Sequence, residues 1–214
     1  MDTDITNTEH CLRIDTAWSK IMKRSFDILF SAVFLCTVFP VIFIIVYIVT
    51  KTTMPGKIFF IQKRSGINGK VFRCYKFRTM LENADSDNLQ ATRGDTRVTR
   101  WGHILRKTSI DETPQFINVL KGDMSIVGPR PHMIRQTIEY SSLIDGYMKR
   151  LHVKPGVTGW SQIHGYRGEI RQLSDMENRV RYDIWYIRHW SFRLDLFIIF
   201  NTATRCLYGD ENAY

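Results

Sequence analysis

Residues 28–50 read ILFSAVFLCTVFPVIFIIVYIVT and contain no charged side chain. A helix needs ~20 apolar residues to cross the hydrocarbon core of a bilayer, and this segment is long enough. It lies too far inside the chain for a usual signal peptide, and no small-residue cleavage site follows it. A buried core helix is the alternative, but such helices rarely run this long without a charge. The segment therefore predicts a membrane helix.

The flanks of this segment indicate how it lies in the membrane. Basic residues occur on both sides of it, at Lys20, Lys23, Arg24, Lys51, Lys57, Lys63 and Arg64. A helix that simply spans the bilayer is basic mainly at its cytoplasmic end, so both ends are expected in the cytoplasm. Pro40 lies near the middle, where it removes a backbone hydrogen bond and kinks the helix. We therefore predict a re-entrant helix over residues 20–52, with a straight single span as the alternative.

The composition sets broad limits on the class of protein. A chain of 214 residues is long enough for one domain with a hydrophobic core. The net charge of +9 leaves nucleic acid, anionic lipid and phosphorylated substrates open as partners. The 4 cysteines are widely scattered, which indicates reduced thiols of a cytoplasmic protein rather than disulfides or a metal site. We predict one domain over residues 1–214, in which residues 53–214 form a cytoplasmic, membrane-associated part.

The pattern that follows the membrane segment predicts an α+β fold that is mostly helical. Short strands at residues 57–62 and 71–77 flank a turn at residues 65–69 and form a hairpin. Residues 1–19 and 91–99 are polar and are expected to be loose. The predicted helices are residues 80–89, 101–107, 114–121 (ended by Gly122) and 132–151, before a turn at 154–159. The C-terminal third is predicted to be helical because Leu173, Met176, Val180, Ile184 and Ile187 recur at helical spacing.

The C-terminal helices mix aromatic and basic residues. This set comprises Tyr182, Trp185, Tyr186, Trp190 and Phe192, interleaved with Arg181, Arg188, His189 and Arg193. Such a mixture favours the water–lipid interface, and residues 194–200 continue as a short apolar helix. Core packing is the alternative for individual residues. The same composition also suits stacking on single-stranded nucleic acid. Because no recognised nucleic-acid motif is present, we predict interfacial amphipathic helices and no nucleic-acid partner.

Two adjacent carboxylates, Asp111 and Glu112, precede a proline in the sequence TSIDETPQ. Ser109 and Glu112 have the spacing of a capping box, in which both side chains only satisfy amides at a helix start. Pro114 argues against a capping box, because inside the helix it would forfeit a hydrogen bond, at a cost of up to ~3 kcal/mol. If the helix begins at Thr113, Pro114 takes the favoured first position and both carboxylates are available for chemistry. Capping and catalysis both remain open at this point.

A second motif, Pro129-Arg130-Pro131, supplies a fixed cation. Two prolines with restricted φ hold the arginine at little entropic cost, and Gly128 permits close backbone approach. Further cations that are near in sequence are Lys76, Arg78, Arg106 and Lys107. Each is individually typical of a solvated charge, but we predict that Lys76, Arg78 and Arg106 bind the phosphates of a substrate. Carboxylates with fixed arginines suit magnesium-assisted chemistry on a phosphate, because Mg²⁺ and guanidinium neutralise oxygens that gain charge in the transition state.

Two other classes of protein explain parts of the sequence. A membrane-anchored scaffold or a nucleic-acid-binding protein accounts for the basic charge and the aromatic residues, but not for the Asp-Glu pair with Pro-Arg-Pro. A hydrolase that activates water on a metal needs a fuller ligand set than one adjacent carboxylate pair. The motifs therefore favour phosphate chemistry at a membrane.

Together the motifs resemble those of the bacterial sugar transferase family, the monotopic polyprenyl-phosphate phosphoglycosyl transferases. The resemblance covers nearly everything in residues 23–204. It rests on KRSFD (23–27), YKFRTM (75–80), LRKTSIDE (105–112), NVLKGDMS (118–125), VGPRP (127–131) and KPGVTGW (154–160). Because these motifs are long and occur in the family's order, the resemblance is specific.

The resemblance implies transfer of a sugar-1-phosphate from a UDP-sugar to a polyprenyl phosphate, usually undecaprenyl phosphate, with release of UMP. It implies that Asp111 is the nucleophile of a covalent phosphosugar intermediate and that Glu112 binds Mg²⁺. The residues that it implies around the phosphates and the metal are Lys76, Arg106, Arg130 and Asp183. It also implies a re-entrant helix in the bacterial inner membrane, with the catalytic part facing the cytoplasm. Such enzymes begin the synthesis of exopolysaccharide, capsule, O-antigen or another glycoconjugate.

Departures from the family pattern are few. Phe39 stands where similar enzymes commonly have a serine whose hydroxyl bonds a carbonyl freed by Pro40, so the bend here is satisfied differently or is shallower. Thr96 replaces a common proline, a change that we expect to be harmless. The larger family members add a multi-span domain and a nucleotide-fold-like domain, whereas this chain is expected to be the small, single-domain form.

Sugar choice is the least specified property. Residues 165–169 (GYRGE) and 186–191 (YIRHWS) resemble the branch that begins exopolysaccharide or capsule repeats with glucose- or galactose-1-phosphate. An N-acetylated hexosamine is the alternative, because no residue by itself reads the sugar hydroxyls. The sequence also leaves a homodimer open.

Overall fold

The computed structural model describes residue 14 and residues 16–81 and 94–208, and its fold is α+β, as predicted. The helices are α1 (Ala17–Thr53), α2 (Arg100–Lys107), α3 (Gln115–Lys121), α4 (Ile134–Leu143), α5 (Trp160–Ile163), α6 (Leu173–Arg188) and α7 (Phe192–Tyr208). The strands are β1 (Phe59–Ser65), β2 (Val71–Phe77), β3 (Ser125–Val127) and β4 (Gly156–Thr158). Short 3₁₀ turns occupy Ile67–Gly69, Ile110–Glu112 and Tyr147–His152.

The predicted membrane segment lies within α1, a helix of 37 residues that continues through Pro40. Its length and apolar composition are sufficient to cross a membrane. Only 6% of its most apolar 18-residue window is buried, so α1 is not a buried core helix. The Thr16 side chain caps the helix by accepting the amide of Ser19 at 3.3 Å. The helix thus begins within the region that was expected to be loose, where Ile14 is also buried; residues 1–13 and 15 lie outside the described residues.

The N-terminal half of α1 is attached to the rest of the protein by polar contacts. The Asp27 carboxylate accepts the Ser125 hydroxyl at 3.1 Å and the Ile126 amide at 3.0 Å, which joins α1 to β3. Lys23 forms an ion pair with Asp195 at 2.6 Å. Arg24 donates to the Val119 carbonyl at 2.6 Å, near the C-terminal end of α3. A cation at this end of a helix satisfies carbonyls that have no partner within the helix.

The C-terminal half of α1 is attached mainly by aromatic packing. Phe43 stacks on Phe59 of the hairpin with ring centroids 5.9 Å apart, and Phe39 stacks on Phe77 at the same separation. Thr50 accepts the Trp101 indole N–H at 3.2 Å. Both halves of the helix therefore contact one and the same protein body.

The β1–β2 hairpin is confirmed and its second strand has the predicted bounds, but the first strand is Phe59–Ser65 rather than residues 57–62. The strands are antiparallel and in register from Phe59 opposite Phe77 to Ser65 opposite Val71. Asn68 adopts a left-handed conformation, with a φ of 52°, in the connecting turn. Asparagine tolerates this region better than most residues, because its short polar side chain can bond locally.

Three predicted elements are different in the structure. The predicted turn at residues 154–159 contains β4, which pairs in parallel with β3. The predicted helix at residues 132–151 is two segments, α4 and the turn Tyr147–His152, because Gly146 has a φ of 74° that interrupts a helix. Of the predicted helix at residues 80–89, Met80 forms an isolated bridge with Val98 instead, and residues 82–89 lie outside the described residues.

The interfacial prediction for the C-terminal helices is wrong for two of its aromatic residues. Tyr186 and Trp190 are only 1% and 3% exposed, and both donate to Asp195. Trp185 is 39% exposed, and on α7 Phe197 and Phe200 are 54% and 69% exposed. Hydrogen bonds to the buried Asp195 carboxylate thus place two members of the predicted aromatic set in the core, whereas Trp185 of that set is exposed.

Candidate active site

The Asp-Glu pair lies on the 3₁₀ turn Ile110–Glu112, immediately before α3. Ser109 has a left-handed backbone, with a φ of 60°, and its side chain makes no capping hydrogen bond. The capping-box alternative is therefore wrong. The helix begins at Gln115, one residue later than predicted, so Pro114 is the N-cap residue rather than the first helical residue, and both carboxylates are outside the helix.

Glu112 is the centre of a cluster of cations. Its Oε1 accepts Lys76 at 2.6 Å and Arg130 at 2.8 Å. Its Oε2 accepts Arg167 at 2.9 Å and a second Arg130 nitrogen at 3.3 Å. A carboxylate has about four lone-pair positions, so these four hydrogen bonds fill its accepting capacity. Burial acts to raise the pKa of Glu112, but Arg130, Lys76 and Arg167 outweigh burial and hold this pKa well below its usual range.

Asp111 has a different environment, although it is the adjacent residue. It is 7% exposed, and its carboxylate accepts no hydrogen bond from any other residue that the structure describes. Burial first, and then the negative charge of Glu112, raise the pKa of the Asp111 carboxyl. Asp111 is therefore a poorly solvated carboxylate with free lone pairs beside a cluster of cations, the environment of a nucleophile for a phosphorus centre.

Asn118 of α3 fixes the position of Lys76 relative to the carboxylates. The Asn118 side chain is fully buried and bonds the β2 backbone twice, to the Arg73 carbonyl at 2.7 Å and the Tyr75 amide at 3.0 Å. It thus extends the hydrogen bonding of the strand and ties α3 to it. Because Lys76 follows in β2, its ammonium group is brought to Glu112.

Arg130 is positioned by the contact between β3 and β4. The Gly128 amide donates to Thr158 at 2.9 Å, and the Gly156 amide donates to the Pro129 carbonyl at 2.9 Å. A Cβ on Gly128 would lie 2.5 Å from the Lys154 carbonyl oxygen, so only glycine permits this approach. The two distant motifs VGPRP and KPGVTGW therefore form one structural unit that presents Arg130.

Arg150 holds the backbone of Arg130 from behind. Its Nη2 donates to the Arg130 carbonyl at 2.6 Å and to Asp183 at 2.8 Å. Asp183 also accepts the Ser161 hydroxyl at 2.7 Å. Both members of this ion pair are buried, with side-chain exposures of 0% for Arg150 and 1% for Asp183. Asp183 therefore does not contact the carboxylate pair but supports Arg130 through Arg150.

Two other predicted cations have different positions. Arg106 donates to the Thr79 hydroxyl at 2.9 Å, and its charge acts on Asp111 by lowering the pKa of that carboxyl, against burial and Glu112. Arg78 is not at the pair: it is buried and donates to the Met54 carbonyl, where it holds the end of α1. Lys76, Arg106 and Arg130 are thus brought near the carboxylates, and Arg78 and Asp183 are not.

Sequence reasoning missed Arg167 as a site residue. It lies in the segment between α5 and α6. One of its Nη atoms donates to Glu112, and the other donates to the Ser109 hydroxyl at 2.5 Å. The only available signal was the motif at residues 165–169, which suggested a sugar preference and no contact with the Asp-Glu pair.

Carboxylate oxygens are the donors that Mg²⁺ prefers, and one or two of them suffice when substrate phosphates complete the shell. The described residues hold no group of 3 or more metal-ligating side chains. The carboxylate oxygens of Asp111 and Glu112 suit Mg²⁺ together with substrate phosphates. Glu112, however, offers an oxygen only when one of its four hydrogen bonds opens.

The chain matches the bacterial sugar transferase family over residues 18–209, a range that contains the Asp-Glu pair and the motifs described above. The chain belongs to that family, which confirms the resemblance. Among its relatives is the UDP-glucose:undecaprenyl-phosphate glucose-1-phosphate transferase of Escherichia coli (strain K12), which is 49% identical over 86% of this chain and 40% of that protein. The protein of the same name in Klebsiella pneumoniae is 50% identical over 86% of this chain and 39% of that protein.

A relative with a different sugar in its name is the UDP-N-acetylgalactosamine-undecaprenyl-phosphate N-acetylgalactosaminephosphotransferase of Aeromonas hydrophila. It is 40% identical over 88% of this chain and 44% of that protein. The chain therefore spans only about 40% of the length of these relatives.

Proposed function

We propose that this protein transfers a sugar-1-phosphate from a UDP-sugar to undecaprenyl phosphate and releases UMP. The observation that carries the proposal is the contrast within the Asp-Glu pair. Glu112 has all its lone pairs bonded by cations, whereas Asp111 beside it has no hydrogen-bond partner among the described residues. A carboxylate that is free to react, next to cations that can bind phosphate, suits phosphoryl transfer through a covalent intermediate.

In the first step, an Asp111 carboxylate oxygen attacks the β-phosphorus of the UDP-sugar. A new bond forms between that oxygen and phosphorus. The bond from the β-phosphorus to the oxygen that bridges the two phosphates breaks, and UMP leaves with the electron pair. The product on the enzyme is an aspartyl phosphosugar. Lys76 and Arg130 lie where they can stabilise the charge that develops on the phosphate oxygens.

In the second step, a phosphate oxygen of the lipid attacks the same phosphorus and the bond to Asp111 breaks. This step regenerates the carboxylate and gives undecaprenyl diphosphate sugar. Both steps exchange one oxygen substituent on phosphorus for another, so one site serves both and ping-pong kinetics are expected. Mg²⁺, held by Glu112, would supply further neutralisation of the diphosphate when bound.

Glucose is the proposed sugar. Two of the three relatives described above, at 49% and 50% identity, carry UDP-glucose in their names, which agrees with the motifs at residues 165–169 and 186–191. Galactose is the second candidate of the same branch. An N-acetylated hexosamine stays the alternative, because the relative at 40% identity is named for N-acetylgalactosamine.

For the membrane, we propose that α1 is re-entrant and that the catalytic part faces the cytoplasm at the inner membrane. Lys23 and Thr50, near opposite ends of α1, contact the same protein body. A straight span would place these ends on opposite sides of a hydrocarbon core of about 30 Å. The shared contacts therefore support a helix whose two ends lie on one side.

The contacting faces of α1 also support a change of direction at Pro40. Successive residues of a helix are rotated by about 100°. Asp27 and Phe34 then share one face, and Phe43 and Thr50 share another that is rotated by more than about 90° from the first. Both faces contact the protein body. A bend between them at Pro40 reconciles the two sets of contacts.

Exposed apolar residues on α7 support a further contact with lipid. Leu196, Phe197 and Phe200 lie on one side of the helix and are 43%, 54% and 69% exposed. Arg193, on the same side, is also exposed. An apolar face with a cation at its edge suits the boundary between acyl chains and headgroups.

The test of the proposed reaction is UMP release by detergent-solubilised protein with Mg²⁺, undecaprenyl phosphate and a panel of UDP-sugars. We expect lipid-dependent UMP from UDP-glucose, and none from Asp111→Asn. Asp145→Asn is the matched control, because Asp145 is an exposed aspartate remote in sequence from the pair. Equal turnover by Asp111→Asn and wild type would contradict the proposal.

A further inference from the structure

Arg167 is the cation in the Glu112 cluster that the proposed reaction does not yet use. Its guanidinium bridges Glu112 at 2.9 Å and Ser109 at 2.5 Å, and its side chain is 14% exposed. It therefore lies over the turn that carries the carboxylate pair. In this position it also occupies a lone pair of Glu112 that a ligand would need.

The backbone of Arg167 differs from that of the other two cations. Lys76 belongs to β2, and Arg130 lies between two prolines with its carbonyl held by Arg150. Arg167 lies in residues 164–172, which connect α5 and α6 without helix or strand. Gly165, with a φ of 91°, precedes it, and the Gly168 carbonyl after it is held by Arg179 at 2.8 Å. The exchange of partner therefore needs a movement of the Arg167 side chain only, and the backbone held by Arg179 can stay in place.

We infer that Arg167 binds the diphosphate of the nucleotide-sugar donor, for which it exchanges its ion pair with Glu112; this inference rests on the proposed function. A guanidinium matches a phosphate with two parallel hydrogen bonds, and a diphosphate carries more charge than one carboxylate. Glu112 keeps Lys76 and Arg130 after the exchange, so it is not left as an unpaired buried charge.

The exchange has a consequence for Glu112. Its Oε2 loses its shorter bond, that to Arg167 at 2.9 Å, and keeps the bond to Arg130 at 3.3 Å. One lone pair of Glu112 then becomes available at the moment when the diphosphate arrives. Arg167 is therefore a substrate-binding residue whose release prepares the carboxylate pair for the phosphate and its cation.

The test is the affinity for UDP, measured by calorimetry with a chelator present so that no divalent cation contributes. We expect Arg167→Ala to bind UDP about 10- to 100-fold more weakly than wild type, the usual range for loss of a charge-assisted hydrogen bond. Arg167→Lys should keep part of the affinity, because it keeps the charge without the planar fork. Arg171→Ala is the control, because Arg171 belongs to the same segment and is 62% exposed.

A double-mutant cycle distinguishes phosphate binding from a merely structural brace. Glu112→Gln releases Arg167 from its carboxylate, so it should bind UDP more tightly than wild type. Because Glu112→Gln also releases Lys76 and Arg130, part of that gain should remain in Glu112→Gln with Arg167→Ala, but the part that Arg167 supplies should be lost. If Arg167 only braces Glu112, Arg167→Ala will bind UDP within twofold of wild type, and the double variant will keep the whole gain. Either of these results overturns the inference.

Failure of this inference is distinguishable from failure of the proposed reaction. If Arg167→Ala binds UDP as tightly as wild type and still releases UMP, only the inference about Arg167 is contradicted. If UDP binding depends on Arg167 but no donor gives UMP, only the proposed reaction is contradicted and the phosphate site stands. Absence of UDP binding to folded wild-type protein, both with the chelator and with Mg²⁺, contradicts both.

Discussion

Asp195 and Asp111 are both buried carboxylates, but they differ in the number of hydrogen bonds that they accept. Asp195, on α7, accepts Tyr186 at 2.7 Å on one oxygen and Lys23 at 2.6 Å and Trp190 at 3.1 Å on the other. These bonds join α1, α6 and α7. Asp111, by contrast, accepts no hydrogen bond from the described residues. The bonds to Asp195 hold three helices together, whereas the Asp111 carboxylate is buried beside cations and has lone pairs free for a substrate.

Asp183 belongs with Asp195 rather than with Asp111. Both its oxygens are bonded, by Arg150 and by Ser161, and it is 1% exposed. The resemblance to the family placed Asp183 around the phosphates and the metal. In the structure, Asp183 contacts Arg150, and Arg150 in turn contacts the carbonyl of Arg130. Asp183 can therefore act on a bound substrate only through these two arginines.

The largest expected effect separates Asp111 from the structural acids. Asp111→Asn should lower the rate of UMP release by about 10⁴-fold or more, because it removes the proposed nucleophile. Its thermal midpoint without divalent cation should stay the same or rise, since the ionised carboxyl is unfavourable in this site. UMP assays and thermal unfolding of the same preparations check both effects. A large loss of stability in Asp111→Asn would show that this residue also serves the fold.

Asp195→Asn should have the opposite profile. It weakens a buried ion pair in which Lys23 is 13% and Asp195 3% exposed. Removal of one partner from such a pair costs about 3 kcal/mol or more. We expect the free energy of unfolding to fall by this order, and UMP release per folded molecule to stay near that of wild type. Denaturant unfolding monitored by tryptophan fluorescence measures the change, and unaltered stability would refute a structural role for Asp195.

Arg150 contacts the buried acid Asp183 and the carbonyl of Arg130, whose side chain bonds Glu112. It should therefore affect both stability and turnover. Arg150→Met leaves Asp183 as an unpaired buried charge, which costs about 3 kcal/mol or more. In Arg150→Met with Asp183→Leu the buried charge is gone, so most of the stability should return. UMP release should stay about 10- to 100-fold low in both variants, because the support of the Arg130 carbonyl is missing. Turnover that returns together with stability would mean that Arg150 does not position Arg130.

The smallest expected effect is a pH dependence of stability. The pKa of Asp111 is raised above its ordinary value of 3.8, so between that value and the raised one the folded state binds more protons than the unfolded state. The free energy of unfolding should therefore fall as the pH rises through this window. Asp111→Asn should lack that fall. Denaturant titrations at several pH values with a chelator measure it, and the same slope in both proteins would contradict the raised pKa.

The local elements were largely predictable from the sequence. Periodicity and turn residues predicted the strand at 71–77 without error and the helix that Gly122 ends. The pairing of β3 with β4 was not predictable, because a three-residue strand has too little pattern and its partner lies about thirty residues away. The strand signal of Gly156–Thr158 was hidden by glycines whose role is close approach to Gly128.

The candidate site was predictable in part for a similar reason. Asp111, Glu112 and Arg130 belong to rigid motifs whose local chemistry is visible in the sequence. Arg167 and Arg150 come from distant segments and contact the site only through the tertiary fold. Lys76 lies in β2 and Arg78 follows the strand only two residues later, yet Lys76 bonds Glu112 and Arg78 anchors α1. Sequence spacing alone does not distinguish such neighbours.

The most direct test of the covalent role of Asp111 is mass spectrometry of the protein after rapid mixing with UDP-glucose and Mg²⁺ in the absence of lipid. We expect a hexose-phosphate adduct on the tryptic peptide of residues 108–121. The adduct should disappear when undecaprenyl phosphate is added and should be absent from Asp111→Asn. An adduct on another peptide, or lipid-dependent UMP release with no adduct at any quench time, would contradict the covalent role of Asp111.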